Sequence, residues 1–276
     1  MVARRPERPH GADGDVGMEE RDVAAYLERI GAERPPRADL LSLHDLQLRH
    51  LLAVPFENLA IHLGEGISLD VAALVDKVVR RRRGGFCYEL NGLFAALLTE
   101  LGYNVTLLAA RAVGKAGLGP PFDHLTLRVD AAAPWLVDVG WGRFAHHPLR
   151  LAERGEQRDP GGTFRIVDSG HGDLDVVMNG EPQYRIEPRP RRLADFEATC
   201  WWHQTSPTSH FTQSLVCSLL TETGRVTLTG RSEIVTDGTG RRERTLDGDD
   251  EVLDAYRSRF GVELDRVPTL RGGAAG

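Results

Sequence analysis

Cysteine is scarce in this chain of 276 residues: only Cys87, Cys200 and Cys217 occur. No two of them form a CxxC pair, and the odd count argues against a secreted disulfide framework. Metal-ligand spacing is missing as well. Cys200 and His203 make a lone C-x-x-H and His146-His147 are adjacent, so no zinc or other metal is expected. No apolar run approaches a membrane span. Residues 1–18 lack the apolar core of a signal peptide and read as a disordered leader. Positive charge is also short. Lys and Arg total 34 against 40 Asp and Glu, a net charge of −6, with no implied basic face for nucleic acid. The expectation is a cytoplasmic protein whose thiols stay reduced.

What is present is ordinary globular material, 41% hydrophobic and 27% charged. The length allows two or three sub-domains. Apolar residues recur at helical spacing through Val23–Ile30, Leu41–Leu52 and Val71–Val79, the last entered through Ser68 or Asp70 as a cap. A fourth helix starts at Cys87, carries Leu90, Phe94, Leu97 and Leu98, and stops at Gly102. Beyond it the period changes. Residues 105–109, 124–129, 135–139, 164–167, 174–178 and 184–186 read as short strands separated by Gly, Pro and Asp. Pro188-Arg189-Pro190 marks a boundary. After it, 211–220 and 225–229 read as strands and 251–260 as a helix. Helices first and strands after point to an α+β fold.

The stretch Arg82-Arg83-Gly84-Gly85-Phe86-Cys87 puts a thiol at a helix N-terminus behind an arginine run. The positive end of the helix dipole and the arginines both favour thiolate. Gly84-Gly85 offers room for another molecule's acyl group to approach the sulfur. A thiolate nucleophile needs a base and a group that orients the base. His124 opens one strand and Asp138 lies near the end of the next. An even-numbered hairpin register puts residue 124 opposite 138 or 140, with both side chains on one face; an odd register separates them. An acid inside Leu136-Val137-Asp138-Val139 is costly without a partner, and an imidazole supplies one.

Arg83-Gly84-Gly85-Phe86-Cys87-Tyr88-Glu89-Leu90-Asn91 resembles the RGGxCxExN motif of the arylamine N-acetyltransferases. Pro55-Phe56-Glu57-Asn58-Leu59 is similar to that family's PFENL, and Leu136-Val137-Asp138-Val139-Gly140-Trp141-Gly142 to its LVDVGFG. Ser206-Pro207-Thr208-Ser209-His210-Phe211 resembles its SxPxSxF segment. The resemblance implies a helical bundle over 19–102 carrying the cysteine, a β-barrel over 103–190 carrying His and Asp, and an α/β lid over 191–276. It implies a papain-like triad of Cys87 as nucleophile, His124 as base and Asp138 as its orienter. Phe56, Trp141 and Phe211 match substrate-cleft positions, and Gly142, Ser206 and Ser209 acyl-donor positions. The implied chemistry is ping-pong acyl transfer from acetyl-CoA, a donor substrate rather than a bound cofactor, to a small aromatic amine or hydrazine.

The chain departs from that pattern at Asp123, where Thr or Ser usually precedes the histidine, at Trp141 in place of Phe, at Ala112-Val113-Gly114, where bacterial relatives often carry a tryptophan, and near Thr236, where a lid histidine is common. These departures keep a second reading open: a macrolactam-forming amide synthase of ansamycin assembly, fed by an acyl carrier protein. Thioester hydrolysis would require water at the acyl-cysteine. A catalytically dead binding module or a papain-like hydrolase fits the intact motifs poorly.

Overall fold

The computed structural model describes residues 17–115 and 117–270, so most of the expected leader lies outside the described residues. Met18, assigned to that leader, is instead buried in the helical core. Helix α1 (Glu20–Arg29) and helix α2 (Leu40–Ala53) follow, the latter capped by Asp39, which accepts the Ser42 N–H. The buried face of α2 is Leu43, Leu46, Gln47 and His50, and Leu41 faces solvent. The leucine spacing overstated the apolar face because a helix this rich in leucine offers more than one stripe. A two-residue strand β1 (Phe56–Glu57), a short helix α3 (Leu59–Leu63) and α4 (Val71–Leu74) come next. Asp70 caps α4 by accepting the Ala73 N–H, and the helix widens into a π-turn over Val75–Arg80. Helix α5 (Cys87–Glu100) is buried along most of its length and packs on the first long strands of the barrel.

Those strands are β2 (Asn104–Gly114), β3 (Gly117–Leu118), β4 (His124–Asp130), β5 (Pro134–Val137), β6 (Leu149–Arg150), β7 (Gln157–Asp159), β8 (Gly162–Asp168), β9 (Leu174–Met178) and β10 (Glu181–Arg191). They pair antiparallel in the order β6-β5-β4-β2-β10-β9-β8-β7, with β3 added beside β2. The Gln157 side chain accepts the Arg150 N–H and donates to the Arg150 carbonyl, which links β6 to β7 and nearly closes the barrel. Pro188-Arg189-Pro190 falls inside β10, not between domains. The β10–β2 register shifts between Glu187 and Pro190, and such an irregularity accommodates prolines within a strand.

A 3₁₀ turn (Leu193–Phe196) leads to α6 (Glu197–Thr205) and α7 (His210–Gln213). Strands β11 (Cys217–Thr221), β12 (Gly224–Thr229), β13 (Ser232–Asp237) and β14 (Gly240–Thr245) then form a meander, and α8 (Gly248–Phe260) closes the fold. The strand expected over 211–220 begins only at Cys217, because Ser209 caps a helical turn through Phe211. β1 joins this sheet by pairing with β11, so the helical segment supplies the lid's edge strand.

Among the described residues three buried clusters organise the fold. One joins the helices to Leu125, Leu127, Val129, Val137 and Val139 of the barrel. A second fills the barrel around Phe164 and Tyr184. The third joins β11, β12 and α8 to Leu59 and Leu63. No described helix is long and apolar enough to cross a membrane.

Candidate active site

The Arg-Gly-Gly segment is shaped by contacts within the chain. A Cβ on Gly84 would sit 1.9 Å from the Pro55 carbonyl oxygen, and one on Gly85 would meet the Glu89 side chain at 2.6 Å. The glycines therefore make room for the chain's own β1 and α5 rather than for an incoming acyl group. Glu57 N–H donates to the Gly85 carbonyl at 2.9 Å, and Arg83 Nε donates to Glu57 Oε1 at 3.2 Å. Two motifs separated in sequence thus meet in one buried pair. Glu89, in the first turn of α5, reaches back to accept the Phe86 N–H at 3.2 Å and pairs with buried Lys77 at 2.6 Å. This fixes the start of the helix, and with it Cys87.

The arginine run does not serve the thiol as expected. Arg80 pairs with Asp22, Arg81 with Asp76, and Arg83 with Glu57 and Glu65. Cys87 is buried, and burial pushes its thiol well above the ordinary value. A hydrogen bond from the Leu125 N–H works the other way, while the charges of Asp123 and Asp138 add to the rise. The surrounding field opposes thiolate, so ionisation of this sulfur would need a neighbouring base.

Strand pairing places the candidate base. The β4–β5 register matches Leu127 with Val137 and Val129 with Trp135, an even count that, extended past the ladder, would set His124 opposite Gly140. His124 and Asp138 therefore share a face on the diagonal, and His124 Nε2 lies 2.7 Å from Asp138 Oδ2. Strand β5 ends at Val137, so the ladder opens there, and α5 fills the gap. Asn91, one turn after Cys87, accepts the Val139 N–H at 2.9 Å and donates to the Leu125 carbonyl at 2.7 Å. Its amide replaces a peptide between the parted strands. The Leu125 N–H turns to the Cys87 sulfur. A Cβ on Gly140 would lie 2.6 Å from the Cys87 Cα, so only glycine lets the corner close on the helix.

Asp138 is fully enclosed. It accepts from His124, from Asn91 Nδ2 at 2.9 Å, from the Gly140 N–H at 2.9 Å and from the Tyr184 hydroxyl at 3.0 Å. Burial pushes its carboxyl up, but His124 and these hydrogen bonds outweigh burial and hold it below the usual value. Asn91 and Tyr184 are the residues that sequence reasoning missed. Asn91 stood inside the quoted motif four residues after Cys87, hence on the same helix face. Tyr184 comes from β10, and nothing local to it signals this contact.

The expected cleft residues gather here too. The Trp141 ring sits 4.7 Å from that of His124, nearly at right angles, and its indole N–H donates to Gln183 Oε1 at 3.3 Å. Phe56 lies against Gly142, whose φ is +82°, and its ring is 6.4 Å from Phe211, which is 5.1 Å from Phe86. The acyl-donor candidates are spread further. The Ser206 hydroxyl engages Thr208, whereas Ser209 is fully buried, its hydroxyl accepting the Phe211 N–H and lying 3.1 Å from His203 Nδ1. Among the described residues no group of three or more His, Cys, Asp or Glu could hold a metal ion.

Comparison with known proteins gives consistent matches. The sequence pattern of a family described as "N-acetyltransferase" matches residues 39–268. An arylamine N-acetyltransferase of Mycolicibacterium smegmatis is 37% identical over 256 residues, covering 88% of this chain and 92% of the relative. The structure of the Salmonella typhimurium arylamine N-acetyltransferase aligns with a TM-score of 0.84 at 29% identity, over 89% of this chain and 93% of that one. The Mycobacterium marinum arylamine N-acetyltransferase in complex with CoA aligns with a TM-score of 0.79 at 35% identity, over 87% and 92% of the two chains.

Proposed function

This chain belongs to the arylamine N-acetyltransferase family, and from that premise we propose that it carries an acetyl group from acetyl-CoA, through a thioester on Cys87, to an aromatic amine or hydrazine. The observation that carries the assignment of roles is the fourfold-held Asp138 against His124, next to a sulfur bonded by the Leu125 N–H. An ionised Asp138 only accepts, so the proton between the two residues belongs to His124 Nε2. That leaves the lone pair on Nδ1, ready for the thiol proton.

The chemistry follows from that tautomer. His124 takes the Cys87 proton as the sulfur attacks the thioester carbonyl, and the imidazolium returns it to the departing thiolate of coenzyme A. Exchange of one thioester for another is close to isoenergetic. An arylamine is weakly basic and unprotonated at neutral pH. Its nitrogen attacks the acyl-cysteine, His124 accepts its proton, and that proton passes to the leaving Cys87 sulfur as the amide forms. The Cys87 N–H, a first-turn amide without an intrahelical acceptor, is the proposed oxyanion donor. Phe56, Trp141 and Phe211 are proposed to line the acceptor cleft, with Gly142 and Ser206 toward the donor. In this reading residues 19–102 deliver the thiol, 103–190 the base and its carboxylate, and 191–276 the cover.

Intact-protein mass spectrometry tests it. Mixing with acetyl-CoA is expected to add one acetyl group to Cys87, which an aniline or a hydrazine then removes. A Cys87→Ser variant is expected neither to discharge an acetyl group to the amine nor to turn over. Wild-type protein that takes no acetyl group, yet loads from a carrier-bound long acyl chain, would overturn this reading in favour of the amide synthase.

A further inference from the structure

Asp123 and His203, one a departure from the resembled pattern and the other the histidine of the lone C-x-x-H, meet in space. His203 Nε2, from α6, lies 3.0 Å from Asp123 Oδ1, an ion-pair distance that is poorly aligned for a hydrogen bond. Both side chains are nearly enclosed, at 5% and 10% exposure. The other Asp123 oxygen accepts the Ala112 N–H at 3.0 Å, and a Cβ on Gly119 would collide with it at 2.1 Å. The imidazole itself is boxed by aromatic rings, with Phe211 at 5.0 Å, Tyr88 at 6.0 Å and Phe86 at 6.4 Å. Its Nδ1 is 3.1 Å from the Ser209 hydroxyl that caps α7.

The location gives this pair its meaning. Phe86 and Tyr88 are the two neighbours of Cys87 in the chain, and Asp123 is the neighbour of His124. The Tyr88 hydroxyl donates to the carbonyls of Phe122 and Asp123, at 2.7 and 3.0 Å, so both sides of the site converge on the segment that enters β4. Phe122 there has φ +61°, a conformation that a phenylalanine holds only under constraint. A buried carboxylate also needs a partner, and Asp123 is close enough to Cys87 for its charge to oppose thiolate.

We propose that Asp123 and His203 are a second carboxylate–imidazole pair that serves acyl transfer as positioning residues: through them the lid helix α6 holds the entry to β4, and so His124, against the nucleophile. The proposal rests on the reading of Cys87, His124 and Asp138 given above. Neither residue touches the reacting atoms; each acts through a neighbour that does.

The test uses His203→Phe, which keeps an aromatic ring in the box, Asp123→Asn, which keeps an acceptor for the Ala112 N–H, and the double variant. Three quantities are read: kcat and KM for an arylamine, the rate of Cys87 alkylation by iodoacetamide at pH 7, and Tm. Each single variant is expected to lose about tenfold or more in kcat, as a small misplacement of a catalytic group does, with little change in KM. His203→Phe strands the Asp123 carboxylate and slows alkylation. Adding Asp123→Asn is expected to bring alkylation back to within about twofold of the Asp123→Asn single, since coupled residues do not lose independently. Unchanged kcat in both singles, losses that multiply in the double, or losses that simply follow Tm would overturn the proposal. The Cys87→Ser variant separates the two readings. If it is inert while both singles are fully active, the pair has no role and the triad stands. If Cys87→Ser turns over, the triad reading itself is wrong.

Discussion

At the residue scale, Asp138 is the most heavily hydrogen-bonded group of the candidate site. Four donors converge on one buried carboxylate, and it stays ionised in spite of its burial. Asp138→Asn keeps the shape but can donate to His124, which favours the wrong tautomer. The acylation rate is expected to fall by about 10³-fold or more, by analogy with other imidazole–carboxylate dyads. Tyr184→Phe removes one donor of four and is expected to cost only a severalfold loss. Rapid-mixing measurement of Cys87 acylation checks both, and a wild-type rate in Asp138→Asn would remove that residue from the mechanism. The His124–Asp138 contact was legible because an acid inside an apolar strand needs a partner on its own face, and the place of Cys87 at a helix start was legible from the apolar spacing after it. The electrostatics of the thiol were not. An arginine run reads as one positive patch, whereas folding gives three of its members separate acidic partners.

At the element scale, the demand for an even register was a statement about faces, which a period-two strand makes strictly, and the β4–β5 pairing meets it. Helix α5 was equally plain, from Cys87 to just before Gly102. The elements that escaped include α7, set behind Ser209, but also α3 and α6, whose N-cap residues supply no side-chain cap, and the strands β13 and β14. Helix α2 carries a pH dependence of its own. The Tyr26 hydroxyl lies 2.8 Å from His50 Nδ1, and burial drops the His50 imidazole from 6.5 to about 3. Between those values the unfolded chain binds a proton that the folded chain refuses, so stability falls as pH falls below 6.5 and the effect levels off near 3. By pH 5 this one group costs about 2 kcal/mol. Urea unfolding at pH 7 and pH 5 should show a pH-dependent loss smaller by about that amount in His50→Gln. An equal loss in variant and wild type would exclude His50 as the source.

At the scale of the whole molecule, the boundaries inferred from sequence and the buried clusters divide the chain differently. A change of period marks where helices end, but apolar faces of α5 and the barrel fuse into one core across that point. The lid is likewise sewn to the helices. Asn58 donates to the carbonyls of Phe211 and Ser214, at 2.9 and 2.6 Å, and accepts the Val216 N–H at 2.9 Å. Asn58→Ala would strand the Phe211 carbonyl and the Val216 N–H, while the Ser214 carbonyl keeps His62 Nε2 at 2.8 Å, at a cost of about 2 kcal/mol. A lower urea midpoint and faster proteolysis within 207–214 would report it, and a stability change within about 1 kcal/mol would show that the lid is held elsewhere.

The sulfur's contact with the Leu125 amide also makes that amide a witness to turnover. A thioester sulfur is a poorer acceptor than a thiol or thiolate. Deuterium uptake at this single backbone position is therefore expected to quicken when Cys87 is acetylated and to slow again when an amine clears it. The reaction would leave an isotopic record of each half-cycle in the barrel wall, readable by NMR without any chromophore on the substrate.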